Sequence, residues 1–108
     1  MTRDELLTKL RDIDSSLHSA EVQTFFAAQN QQVKDQFVAL RLKVSQEVAR
    51  LGNAQLQGIA QELENLSADL KSGIDALQAQ LDRLDQAIGI LNTVSSVLGL
   101  VGRVLAFA

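Results

Sequence analysis

Residues 56–105 read LQGIAQELENLSADLKSGIDALQAQLDRLDQAIGILNTVSSVLGLVGRVL, with a leucine at every seventh position. Further aliphatic side chains, Ile59 and Leu66 among them, lie three or four residues from these leucines. A seven-residue apolar repeat lines one side of a helix, as in coiled coils. The repeat predicts a helix over about 53–106. The alternative is a break near 72–73, where the apolar spacing shifts and a glycine occurs. The repeated leucines are Leu56, Leu63, Leu70, Leu77, Leu84, Leu91, Leu98 and Leu105.

Two further helices are predicted before this one. Thr2 precedes a glutamate by three positions, which is the pattern of a capping box, and it predicts a helix over about 3–17. Ser19 is a second N-cap candidate and predicts a helix over about 20–51. That helix is expected to end at Gly52, because glycine readily adopts the left-handed conformation of a helix C-terminus. The apolar positions at helical spacing are Leu6, Leu10, Ile13 and Leu17, then Val22, Phe26, Val33, Phe37, Leu40, Val44, Val48 and Leu51.

The composition indicates a single all-α domain over residues 1–108. Apolar residues make up 46% of the 108 residues, which is enough for a modest core. Proline is absent, and no window has the two-residue alternation of a strand.

The same composition argues against several classes of function. There is no cysteine, and the net charge of -3 leaves no basic face for nucleic acid. No nucleophile–base pair, phosphate loop or metal-ligand cluster is apparent, so we expect no catalytic residue, cofactor, metal or small-molecule substrate. The N-terminus lacks the layout of a secretory signal, and we therefore expect a cytoplasmic protein, with membrane association as the alternative.

A turn at Gly52-Asn53 would divide the chain into two arms of similar length. Antiparallel pairing of the arms would bring Arg41 to Glu64 and Lys43 to Glu62. Arm 20–51 is slightly basic and the following arm is acidic, so their charges are complementary. The sequence therefore predicts a long, coiled-coil-like antiparallel helical hairpin with a short N-terminal helix, which pairs with other helices into a bundle.

Residues 87–108, AIGILNTVSSVLGLVGRVLAFA, form an apolar segment with one charge, Arg103. Its apolar arc is wider than one neighbouring helix covers. We expect one stripe to face outward and to serve, with the small residues Ser96 and Gly99, as an interaction surface. The stripe consists of Ile90, Val94, Val97, Val101 and Val104.

Two functions fit such a surface. The first is a non-enzymatic assembly protein, in which the C-terminal helix binds a second copy of the chain or a helical partner protein. The alternative is a membrane-active helical protein, either a pore-forming component or a surface coat, that inserts residues 87–108. Twenty-two helical residues extend about 33 Å, against about 30 Å for a hydrocarbon core. Arg103 and Asn92 oppose insertion, and there is no Trp/Tyr belt, so assembly is the first hypothesis.

The all-α prediction can be tested directly in solution. Circular dichroism should give more than two-thirds helix and no sheet, because no segment has the pattern of a strand. A substantial β component in the spectrum would contradict the assignment.

Overall fold

The computed structural model describes residues 1–107, except for the side chain of Leu56. The place of Leu56 in the leucine repeat and that of Ala108 in the apolar segment lie outside this part. The predicted all-α class is confirmed: five helices and no strand occur within the described residues. They are α1 (Arg3–Leu17), α2 (Ala20–Ala27), α3 (Gln31–Gly52), α4 (Leu56–Arg83) and α5 (Ala87–Leu105).

Polar side chains begin the first three helices. Thr2 accepts a hydrogen bond from the Glu5 amide at 3.1 Å, so α1 starts where the capping pattern indicates. Ser19 accepts one from the Val22 amide at 3.3 Å and starts α2. Asn30 does the same for the Val33 amide at 3.0 Å and starts α3. Each cap satisfies a backbone N–H that has no partner inside its helix.

The prediction of one helix over 20–51 is wrong, because the chain turns at 28–30. The rings of Phe26 in α2 and Phe37 in α3 stack with centroids 4.1 Å apart. In a continuous helix, eleven residues would separate them by about 16 Å. Helical spacing of the apolar residues hides the turn, since Phe26, Val33 and Phe37 keep the same phase on both sides of it.

The prediction of one helix over 53–106 is also wrong, because the break falls at 84–86 rather than at 72–73. Gly73 lies inside α4, and a Cβ added there would be 3.1 Å from Val97 Cγ2 in α5. The two residues would be about 36 Å apart along a straight helix. Gly73 therefore allows close packing of α5 on α4 and does not end the helix.

The chain also reverses after Gly52, but without the expected left-handed glycine. Gly52 is the last residue of α3, Asn53 follows with φ −101°, and no glycine in the described part has positive φ. Arg3 at the start of α1 donates to the Ala54 carbonyl at 3.2 Å, which joins this turn to the N-terminus. Asp14 farther along α1 accepts from the Ser45 hydroxyl at 2.7 Å, so α1 runs antiparallel to α3.

The helices form an elongated bundle of 43 × 21 × 19 Å. Helices α3, α4 and α5 pack together, with α5 against both of the others; α1 also packs against both α3 and α4. Helices α3 and α4 consequently lie across the bundle from each other instead of pairing along their length.

The expected ion pairs between α3 and α4 are replaced by other contacts. Glu62 lies 3.6 Å from Arg103 of α5, rather than beside Lys43. Arg41 places its guanidinium carbon 5.2 Å from the centre of the Phe37 ring in its own helix. These contacts follow from the insertion of α5 between the two predicted arms.

The Asn30 side chain should contribute more to stability than the exposed side chains of the same turn do. Asn30→Ala should lower the free energy of unfolding by about 1 kcal/mol, because the Val33 N–H loses its acceptor. Gln32→Ala, an exposed change in the same turn, should alter it by less than about 0.5 kcal/mol. Urea denaturation followed by circular dichroism measures both, and equal effects would argue against a turn at 28–30.

Candidate functional site

Helix α5 carries the predicted interaction surface, and the structure divides that surface in two. All five stripe side chains, from Ile90 to Val104, are buried with at most 2% exposure. Ser96 and Gly99 are exposed on the opposite face. The aliphatic and the small-residue parts of the predicted surface therefore do not form one continuous patch.

The premise that the stripe lacks cover within the chain is wrong. The turn at 84–86 returns α5 along α4, and α3 closes over its other side. Helix α5 therefore packs against two helices, α4 and α3, and its stripe is buried within the chain. Four further aliphatic residues of α5 lie outside the stripe: Leu91 and Leu105 are buried, Leu98 is half-buried, and Ile88 is 63% exposed.

Close packing between α4 and α5 depends on Gly73 of α4 rather than on Gly99 of α5. A Cβ added at Gly99 would meet no atom within 4 Å, whereas one at Gly73 would lie 3.1 Å from Val97 Cγ2, closer than ordinary van der Waals contact. The outward face of α5 is mostly polar or small and is formed by Ile88, Asn92, Ser95, Ser96, Gly99 and Arg103. In the folded chain that face is open to solvent.

Arg103 is the one charged residue of α5. It lies in the last turn, where a cation interacts favourably with the helix dipole. Its Nη2 atom is 3.6 Å from Glu62 Oε1 of α4, with the arginine side chain 63% exposed. An ion pair this accessible contributes little to stability, so the apolar packing of α5 on α4 sets the register of the two helices.

Helix α5 also has the dimensions of a membrane span. Its 19 residues are apolar enough by composition to cross a bilayer, and 39% of its most apolar window is buried. A core helix of a bundle meets the same criteria, so the length and composition alone do not distinguish the two settings.

Leu84, between α4 and α5, is a residue whose importance the sequence did not reveal. It has φ 50° and ψ 48°, and it is the one non-glycine residue with positive φ in the described part of the chain. Its amide donates to the Gln80 carbonyl at 2.9 Å, which closes the end of α4. A left-handed leucine is unfavourable by about 1–2 kcal/mol. No turn residue marks the position, and only the excessive width of the apolar arc in 87–108 hinted that the segment must fold back.

Polar groups elsewhere serve structural roles. A surface cleft of about 420 Å³ lies between the start of α1 and the start of α4. Beside it the Met1 amino group donates to Ser67 Oγ at 2.9 Å, and Arg3 reaches the Ala54 carbonyl, so both groups hold the N-terminus in place. His18 Nδ1 lies 2.8 Å from the Asp14 carbonyl oxygen at the end of α1. Within residues 1–107, no three His, Asp or Glu side chains group as a metal site would require.

No protein-family model, curated protein sequence or solved structure matches this chain.

The burial of the stripe gives a sharp contrast between two positions on α5. Val101→Asp should lower the free energy of unfolding by more than about 3 kcal/mol, because a carboxylate would enter an aliphatic interior without a partner. Ser96→Asp, on the exposed face, should change it by about 0.5 kcal/mol or less. Chemical denaturation of both variants measures the difference. If Val101→Asp were as stable as Ser96→Asp, α5 would not occupy the core in solution.

Proposed function

We propose that this protein is a non-enzymatic helical assembly module that binds its partner through α5. In this proposal α5 leaves its own bundle and binds an apolar groove in a helical partner, which is a second copy of the chain. The observation that carries the proposal is the burial of the five-residue stripe between α3 and α4. A module of this kind needs no cofactor and no small-molecule substrate.

The energetics of α5 restrict what its partner can be. Each aliphatic side chain of the stripe gains about 1.5–3 kcal/mol when it is fully buried. Helix α5 therefore does not remain free in water, and release requires an acceptor that buries the same stripe. A second copy meets this requirement, because its own groove between α3 and α4 has the matching shape.

The position of α5 in the chain favours exchange. A link of three residues, 84–86, connects it to α4. It carries one charge, and the partner of that charge, Glu62, lies on the same helix as Gly73, the residue that admits Val97. The α4 helix of a second copy can therefore make the same contacts with α5 that α4 of its own chain makes.

Membrane insertion of α5 is the second candidate, favoured by its length and composition. Nineteen residues extend about 28 Å, close to the thickness of a hydrocarbon core. Arg103 can reach the interface from the last turn. The polar side chains on the outward face, such as Asn92 and Ser95, have no partner in lipid and make insertion the weaker proposal.

A disulfide between α4 and α5 tests whether α5 must leave its place. Gly73→Cys with Val97→Cys brings two thiols within bonding reach, because a Cβ at 73 lies 3.1 Å from Val97 Cγ2. The chain has no other cysteine. Oxidised in dilute solution, the variant should stay monomeric in light scattering, whereas the reduced form should self-associate as its concentration rises. The reduced sample is the matched control, and wild type should ignore the redox reagents.

Phosphatidylcholine vesicles distinguish the two candidates in the same experiment. Under assembly, the reduced variant and wild type form a discrete oligomer with or without vesicles. If the reduced form floated with vesicles and the oxidised form did not, the result would contradict assembly and support membrane insertion. A wild-type protein that stays monomeric at high concentration and ignores lipid would overturn both proposals.

A further inference from the structure

The leucine repeat continues through the turn between α4 and α5. Leu77, Leu84 and Leu91 are consecutive members of the series, seven residues apart, and the helix is broken at the middle one. No glycine, proline or asparagine lies in 84–86, where the chain reads Leu-Asp-Gln. The local sequence therefore favours a continuous helix at the point where the folded chain turns.

The turn has an unfavourable backbone on one side and an uncapped helix on the other. Leu84 has the left-handed conformation, which a Cβ disfavours, at a position that helices usually give to glycine. Gln86 begins α5 with no side-chain hydrogen bond to its first amides. Both features are lost if 84–86 become helical, because Leu84 then takes right-handed angles and the first amides of α5 gain carbonyl partners.

We infer that two copies of this chain form an exchanged dimer in which α4 and α5 join into one helix over 56–105. The inference rests on the proposed function and names its partner and its hinge. In the straightened helix Val97 lies about 36 Å from Gly73 of its own chain, so α5 cannot fill its own groove. It fills the groove of the second copy, which in turn inserts its α5 into the first.

The exchange conserves the contacts that stabilise the closed chain. The approach of Val97 to Gly73 and the pair of Arg103 with Glu62 are made between chains instead of within one. A symmetric exchange of identical elements satisfies both copies and closes the assembly at two. The dimer gains stability because two leucines leave the left-handed conformation and two turns become helical. The loss of entropy on association opposes this gain.

Substitutions at Leu84 test the hinge. Leu84→Gly removes the penalty of the closed turn and disfavours the continuous helix, so it should shift the equilibrium towards the monomer by about tenfold per hinge. Each dimer contains two hinges, and the dissociation constant should rise about a hundredfold. Leu84→Ala is the matched control: it loses the same side-chain packing but keeps a Cβ, and it should dimerise at least as well as wild type. Leu84→Asn, which tolerates the left-handed conformation, should behave like glycine and covers the case in which glycine impairs folding.

Spin labels report the hinge independently of oligomeric state. Ser72→Cys and Ser96→Cys place labels at exposed positions of α4 and α5, next to the contact of Gly73 with Val97. With excess unlabelled protein, so that only distances within one chain are seen, the monomer should give a short distance. The dimer should give about 36 Å.

The outcomes separate this inference from the proposal on which it rests. A dimer that keeps the short distance, with Leu84→Gly and Leu84→Ala associating equally, would overturn the continuous helix and leave assembly through α5 standing. The long distance together with the glycine–alanine difference supports the exchange. A protein that is monomeric at every concentration in wild-type and Leu84→Ala forms would overturn both.

Discussion

The burial of the α5 stripe between α3 and α4 is the contact on which the rest of the bundle depends. Without it, α3 and α4 would face each other across an unfilled space, since they lie on opposite sides of the bundle. Val101 and Val104 have no measurable exposure, and Gly73 lacks a side chain where Val97 needs room. The position of Arg103 beside Glu62 then follows from this packing rather than causing it.

Much of the fold could be predicted from local pattern. The absence of proline and the spacing of apolar residues identify an all-helical chain, and the side chains of Thr2 and Ser19 mark two helix starts because capping is a local interaction. The turn at 28–30 was missed although Asn30 is a good cap, since Phe26 and Phe37 preserve helical spacing across it. Their stacking depends on a tertiary contact that periodicity does not describe.

The candidate site shows even more clearly that apolar spacing does not reveal tertiary packing. The five residues from Ile90 to Val104 do form one coherent face, as their spacing predicts. What covers that face depends on a reversal at Leu84, a residue whose sequence environment favours continued helix. At Gly73 the sequence indicated a break where the helix continues, because a glycine in a helical pattern can mark either a helix end or the close packing of a neighbouring helix. Only the packing of α5 on α4 distinguishes the two meanings.

The order of the helices along the chain has a consequence for biosynthesis. The ribosome completes α1 to α4 before the residues of α5 have been made, so the core stays open until α5 has emerged. A nascent chain therefore exposes the apolar walls of α3 and α4 in the vicinity of other copies on the same messenger RNA. A chain truncated before α5 would keep that surface exposed, and exposed apolar surface of this kind promotes aggregation.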